Sequence, residues 1–318
     1  MTFFAERYAQ VVELRATRPG AVAELAAKRE RRALLAPDGR LLIVAADHPA
    51  RGVLAAGADA CAMGDRRELL RRLCAALERP GVDGVLGTPD ILEDLLLLGV
   101  LEDKVAIGSM NRGGLAGSVF EIDDRFTAYD PSTIEAMGLD GGKMLLRIDQ
   151  TDPATARLLE SSARAVSDLA ERRLMAMVEP FLSRRDETGR VRNVLTAEAM
   201  TQAVAIASGL GATSAYTWLK VPVVTDLERV LAASTLPALL LGGEVPDDPA
   251  AAREGWRQAM ALPTVRGLVV GRSLLYPADG DVVAAVDAAV RIVRPDLDGY
   301  ASGAIERGTE SDEREEAR

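Results

Sequence analysis

Eight short, unbroken apolar runs set what this chain can fold into. They are LLIVAAD (41–47), GVLG (84–87), VAIGSM (105–110), KMLLRID (143–149), LMAMVEP (174–180), AYTWLKV (215–221), ALLLGGE (238–244) and GLVVGRS (267–273). None alternates apolar with polar residues, so each reads as a parallel strand covered on both faces. Segments with helical spacing lie between them, clearest in DRRELLRRLCAALERP and DPATARLLESSARAVSDLAERR. TAEAMTQAVAIASGLG follows the fifth run, and DVVAAVDAAVRIV follows the eighth. Several of these open on Asp, Thr or Pro, and some close on Gly, the residues that start and stop helices.

Eight strand-then-helix units over about 255 residues match the size of a (β/α)8 TIM barrel. A doubly wound open sheet is the rival α/β architecture. Its first turn normally carries Gly-x-Gly-x-x-Gly, whereas the first turn here is ADHPARGVLAAG. The expectation is one barrel domain over residues 39–296. Residues 1–38 read as an N-terminal helical extension, packed across the barrel bottom or on a neighbouring subunit. Residues 297–318 read as an acidic, disordered tail.

Composition removes several function classes. A net charge of −10 with no basic patch argues against a nucleic-acid partner. No run approaches the roughly 18 apolar residues of a membrane span. MTFFAERYAQ carries charge too early for a signal peptide. Cys61 and Cys74 are not spaced for a disulfide along one helix. The cytoplasm is the expected compartment. A catalytic zinc takes two or three His ligands, and His48 is the one histidine in the chain. No metal and no cofactor is therefore expected.

Barrel chemistry sits at the C-terminal ends of the strands. That rule selects Asp47 and His48 after the first run, Lys143 and Arg147 on the fourth, Glu179 on the fifth and Lys220 on the sixth. Lys220 stands out because the 38 basic residues include only four lysines: Lys28, Lys104, Lys143 and Lys220. A buried amine beside another cation loses proton affinity and can attack a carbonyl, which a guanidinium cannot do. The same lysine could equally serve a structural ion pair. Lys143 reads as a second interior cation or as a surface lysine at a strand edge. Asp47 and Glu179 suit proton transfer, or simple neutralisation of the lysines. Gly242 and Gly243 on the seventh run, with Gly271 and Arg272 on the eighth, suit a phosphate cradle or ordinary turns.

Taken in order, these motifs resemble the class I, Schiff-base aldolases. The nearest likenesses are the tagatose-bisphosphate, sulfofructose-phosphate and archaeal-type fructose-bisphosphate aldolases. GLDGGKMLLRIDQTD is similar to their fourth strand, MAMVEPF to their fifth, and GATSAYTWLKVPVV to the strand bearing the Schiff-base lysine. LLLGGE and GLVVGRSLL resemble their phosphate-binding pair, and AADHPARG their first-strand element. The resemblance implies Lys220 as the imine-forming residue, with Lys143 and Glu179 handling protons. It implies Asp47 at the substrate, and Gly243, Gly271 and Arg272 at its phosphate; the strand-end rule adds His48, Arg147 and Gly242 as substrate or phosphate contacts. It also implies a phosphorylated sugar or keto-acid substrate and a homo-oligomer.

Two departures stand out: Pro49 in DHPARG, and the loop SMNRGGLAGSVFEIDDRF. That loop is similar to a less characterised actinobacterial branch of barrel proteins associated with sugar or inositol breakdown. Two other readings stay open: a Schiff-base lyase or acyl-transfer enzyme on a phosphorylated diketone, and a barrel that binds a sugar phosphate without catalysis.

Overall fold

The computed structural model describes residues 2–246 and 248–297. The predicted tail falls almost wholly outside the described residues. The strands are β1 (Leu41–Ala45), β2 (Gly84–Gly87), β3 (Val105–Ser109), β4 (Gly141–Ile148), β5 (Met175–Arg185), β6 (Val191–Asn193), β7 (Thr217–Pro222), β8 (Ala238–Leu241) and β9 (Val265–Val270). Eight of them pair in parallel in the order β4-β3-β2-β1-β9-β8-β7-β5, and a β4–β5 pairing closes the ring. This is the expected TIM barrel, with helices around the outside.

The apolar runs are continuous because both strand faces are covered. Along β1, Leu41, Ile43 and Ala45 pack inside the barrel, while Leu42 and Val44 pack outward beneath the helices. At Gly267 (φ +145°) a side chain would strike the Leu41 carbonyl, so only glycine lets β9 lie against β1.

β6 had no counterpart among the predicted strands. β5 runs past Pro180 to Arg185 and turns back on itself, with β6 pairing antiparallel to its end. The turn sequence DETG is legible, but the flanking SRR and VRN carry no apolar signal.

Helices α1 (Thr2–Thr17) and α2 (Ala21–Lys28) pack on the outer helix Pro89–Leu97, where Arg15 Nε donates to Asp94 Oδ1 at 2.6 Å. The chain then crosses the barrel bottom. Buried Arg29 donates to the carbonyls of Lys104 (2.7 Å) and Gly138 (2.6 Å), and Leu34 packs against the apolar interior. Among the described residues, no helix is long and apolar enough to cross a membrane.

Asp83 ties these bottom elements together. Its Oδ1 accepts from Arg32 (2.8 Å), and its Oδ2 accepts from the Leu42 amide (2.7 Å) and from Arg294 (2.8 Å). One carboxylate thus links the extension, β1 and the C-terminal segment. Asp83→Ala strips the part-buried Arg32 of its carboxylate, leaves Arg294 with Asp38 alone, and takes the acceptor from the buried Leu42 amide. It should destabilise the fold by about 3–5 kcal/mol, read from urea unfolding. A loss below about 1 kcal/mol would show that the cluster is not structurally important.

Candidate active site

The lysines and carboxylates expected at the site form the next interior layer above the apolar plug. Ile107 and Met177 face inward, and so does Trp218 on β7. Two residues on, at the same face of each strand, come Ser109, Glu179 and Lys220. Asp47 stands two residues past inward-facing Ala45, and Lys143 on β4 completes the ring.

Glu179 sits between the two lysines. Its Oε1 accepts from Lys220 Nζ at 2.8 Å, and its Oε2 lies 2.5 Å from Lys143 Nζ. Lys143 Nζ also reaches Asp47 Oδ2 at 3.3 Å. Ser109 Oγ (3.0 Å) and Arg112 Nη2 (2.7 Å) meet the same Asp47 oxygen. The lysine side chains are only 2% and 5% exposed. Charges so deep persist only when paired, and here each is. Lys143 is therefore not a surface lysine at a strand edge.

Burial would raise the Glu179 carboxyl, but Lys143 and Lys220 outweigh it and hold the group far below the usual carboxylate range. Asp47 is likewise held well below that range: Arg112 and Lys143 overcome its burial. Burial pushes Lys143 down to about 8, against the pull of Asp47 and Glu179. His48 lies beside Asp47, its Nδ1 3.9 Å from Oδ1. Burial, reinforced by Arg272 and opposed by Asp47, lowers its imidazole to about 3 and keeps it neutral.

The predicted phosphate residues come together after β8 and β9. Arg272 Nη2 donates to the Gly243 carbonyl at 3.1 Å. A side chain on Gly271 would strike the Ala45 carbonyl and approach His48 Cε1, and one on Gly242 would strike Val270. Arg272 Nε and Ser273 Oγ are buried without partners. Unsatisfied donors at this spot suit an oxyanion. Ser273 is a member that the glycine pattern did not reveal.

Arg147, expected at the substrate, stands at the end of β4 with its guanidinium paired to Glu121. Glu121 belongs to the loop after β3, residues 111–126, whose ends are joined by a bridge between Asn111 and Phe126. This loop folds back onto the C-terminal ends of β1 and β4. It supplies Arg112 to Asp47, and its Asp124 and the Gly114 carbonyl bind Arg51 from the loop after β1. Sequence reasoning passed over Arg51, Arg112, Glu121 and Asp124. The one signal was an arginine followed by paired glycines directly after a strand.

The Cgl0159-like family model matches residues 39–290. The chain belongs to the Cgl0159-like family. Its barrel is similar to the crystal structure of Cgl0159 from Corynebacterium glutamicum (Brevibacterium flavum), with 53% identity and a TM-score of 0.89 over 92% of this chain and 98% of that one. It also resembles a Schiff base-forming fructose-1,6-bisphosphate aldolase, at 20% identity and a TM-score of 0.62 over 86% of this chain and 99% of that one. An archaeal fructose 1,6-bisphosphate aldolase aligns at 18% identity and a TM-score of 0.61, over 86% and 98% of the two chains. These last two share the fold. No curated protein matches this family member in sequence.

With four lysines in the chain, selective 13C-lysine labelling resolves each side chain by NMR. The signal lost in Lys143→Met should titrate near pH 8 in the wild type. Glu179→Gln removes a negative neighbour and should move that midpoint lower. A midpoint at or above 10 would contradict the buried, cation-rich surroundings of Lys143.

Proposed function

We propose that the protein is a metal-independent class I aldolase, an aldehyde-lyase that cleaves a phosphorylated ketose or keto-sugar acid in carbohydrate breakdown. The observation that carries this reading is the pair of buried lysines sharing Glu179 at the C-terminal end of the barrel. A purely structural pair needs one lysine, not two around one carboxylate. The likeness of the barrel to a Schiff base-forming fructose-1,6-bisphosphate aldolase supports the same reading. The two cysteines, both free, fit a reducing cytoplasm.

In this reading, a ketose binds with its phosphate at Gly242, Gly243, Gly271 and Arg272. Lys220, having passed a proton to the Glu179 side of the network, attacks the carbonyl carbon. The new C–N bond forms as the carbonyl oxygen takes a proton from Lys143. An amine titrating near 8 is well matched to such transfer near neutral pH. The carbinolamine then loses water to give an iminium. Asp47 or Glu179 takes the proton of the hydroxyl on the β carbon. The carbon–carbon bond breaks, an aldehyde leaves, and the bonding electrons move to the iminium nitrogen. The resulting enamine takes a proton on carbon. Water then hydrolyses the imine, releasing the phosphorylated ketone and restoring Lys220.

Borohydride reduction in the presence of dihydroxyacetone phosphate tests the assignment by intact mass and peptide mapping. The wild type should gain one adduct, on Lys220. Lys220→Arg keeps the charge beside Glu179 but not the nucleophile, and should gain none while remaining folded. An adduct on Lys143 would reassign the nucleophile. No adduct with any phosphorylated ketone tried would favour the non-catalytic sugar-phosphate barrel, and products other than an aldehyde and a ketone would favour the diketone reading.

Arg272→Ala removes the one charged donor of the cradle. Affinity for phosphorylated ligands should fall by about 1.5–3 kcal/mol, measured by calorimetry. An unchanged affinity would place the phosphate elsewhere.

A further inference from the structure

Three arginines converge on the barrel mouth without a role in the scheme above. Arg51, Arg112 and Arg147 are 5%, 6% and 7% exposed. They are near enough that Arg112 and Arg147, added to burial, hold the Arg51 guanidinium well below its usual range. Each has a buried Nε–H without a partner. They arise from the loop after β1, the loop after β3 and the end of β4. The phosphate loops follow β8 and β9. In the closed ring β1-β2-β3-β4-β5-β7-β8-β9, the β3–β4 edge lies directly across from the β8–β9 edge. Lys143, Glu179, Lys220 and Asp47 stand between the two.

Charge balance says what belongs there. The two lysines are matched by Asp47 and Glu179. Of the three guanidiniums, Arg147 pairs with Glu121 and Arg51 with Asp124, while Arg112 shares Asp47 with Lys143. Within this set of ion pairs the cations exceed the carboxylates by one, the complement of a single monoanion. Guanidinium donors are planar forks that fit a carboxylate.

We propose that Arg51, Arg112 and Arg147 form a second anion subsite that holds a carboxylate at the end of the substrate opposite its phosphate. Of the two substrate types in the proposed function, this selects the phosphorylated keto-sugar acid. It rests on that reading for the position of the reacting carbonyl at Lys220. The carboxylate then leaves on the aldehyde fragment, and the phosphate leaves on the ketone.

Non-cleavable probes separate this subsite from the chemistry. 6-Phosphogluconate carries a phosphate and a carboxylate at opposite ends of a linear chain. Glucitol 6-phosphate replaces the carboxylate with a hydroxymethyl group, and glucitol 1,6-bisphosphate replaces it with a second phosphate. None has a ketone, so imine formation plays no part. By calorimetry, the wild type should bind 6-phosphogluconate about tenfold to a hundredfold tighter than glucitol 6-phosphate, the scale of a charge-assisted contact. The ratio should fall toward one in Arg147→Met combined with Glu121→Gln, a change that removes both halves of the ion pair together. Arg51→Met with Asp124→Asn is the second variant should the first not fold, as judged by thermal unfolding.

Equal binding of the acid and the alcohol by the wild type would overturn the subsite. So would a ratio unchanged in the folded variants, and so would tightest binding of the bisphosphate. Borohydride trapping of dihydroxyacetone phosphate on the wild type, a ligand with no second anion, reports separately on the aldolase reading. Trapping without carboxylate preference sinks the subsite alone. Preference without trapping sinks the aldolase alone.

Discussion

Glu179 accepts from two buried ammonium groups at once, and the rest of the upper barrel is arranged around that fact. A carboxylate this deep would normally take a proton. Two cations within 3 Å keep it charged. The cost of burying the cations is offset in turn by Asp47, which Arg112 and Ser109 hold ionised. Removing Glu179 takes the carboxylate from Lys220, and removing Asp47 takes it from Arg112, each leaving a buried charge uncompensated. The network is therefore held together by mutual dependence rather than by the strength of a single pair. It also spans a range of proton affinities, from strongly depressed carboxylates to a lysine near 8. A series of steps that give and take protons needs such a range.

Only a closed barrel could assemble this network from this chain. Asp47, Lys143, Glu179 and Lys220 come from β1, β4, β5 and β7, far apart in sequence. In an open sheet the first and last strands diverge. Closure through the β4–β5 pairing brings the interior faces of all eight parallel strands onto one axis. Inward-pointing positions two residues above the apolar plug then converge without special loops. The bottom is fixed separately by Asp83, Arg29 and Leu34, so stability and chemistry occupy opposite ends of the strands.

Much of this was legible in the sequence because strand cores write themselves as continuous apolar runs. A charge inside such a run, as in TWLKV or MVEP, marks an interior position by its cost. The partnerships were not legible. Nothing local in NRGGLAGSVFEIDDRF says that its arginine reaches Asp47, or that its Asp124 meets Arg51. Those pairs depend on how a loop folds back across the mouth, a long-range matter without periodicity. Arg147 shows the limit well. Its place on β4, four residues past Lys143, gives it the same strand face as that lysine, yet its partner came from the loop. The β6 hairpin was missed for a related reason: its strand ends are exposed and polar, so no apolar run announces them.

The uneven use of Arg and Lys follows from the same division of labour. Thirty-four of the 38 basic residues are arginine. Arginine stays charged at any ordinary pH, and it fills the fixed contacts: Arg29 on strand-start carbonyls, Arg294 on Asp83, Arg112 on Asp47. Lysine can give up its proton. Two of the four lysines stand on either side of Glu179, where the proposed reaction moves protons. A third, Lys104, donates to the Val82 carbonyl at 2.8 Å near the barrel bottom, where burial lowers its proton affinity too. Lys104 has no carboxylate and ammonium neighbours arranged as Lys143 and Lys220 do, so burial alone does not distinguish a working amine. What distinguishes the upper pair is a shared carboxylate at the open end of the barrel, facing an arginine cluster on one side and a glycine-lined cradle on the other.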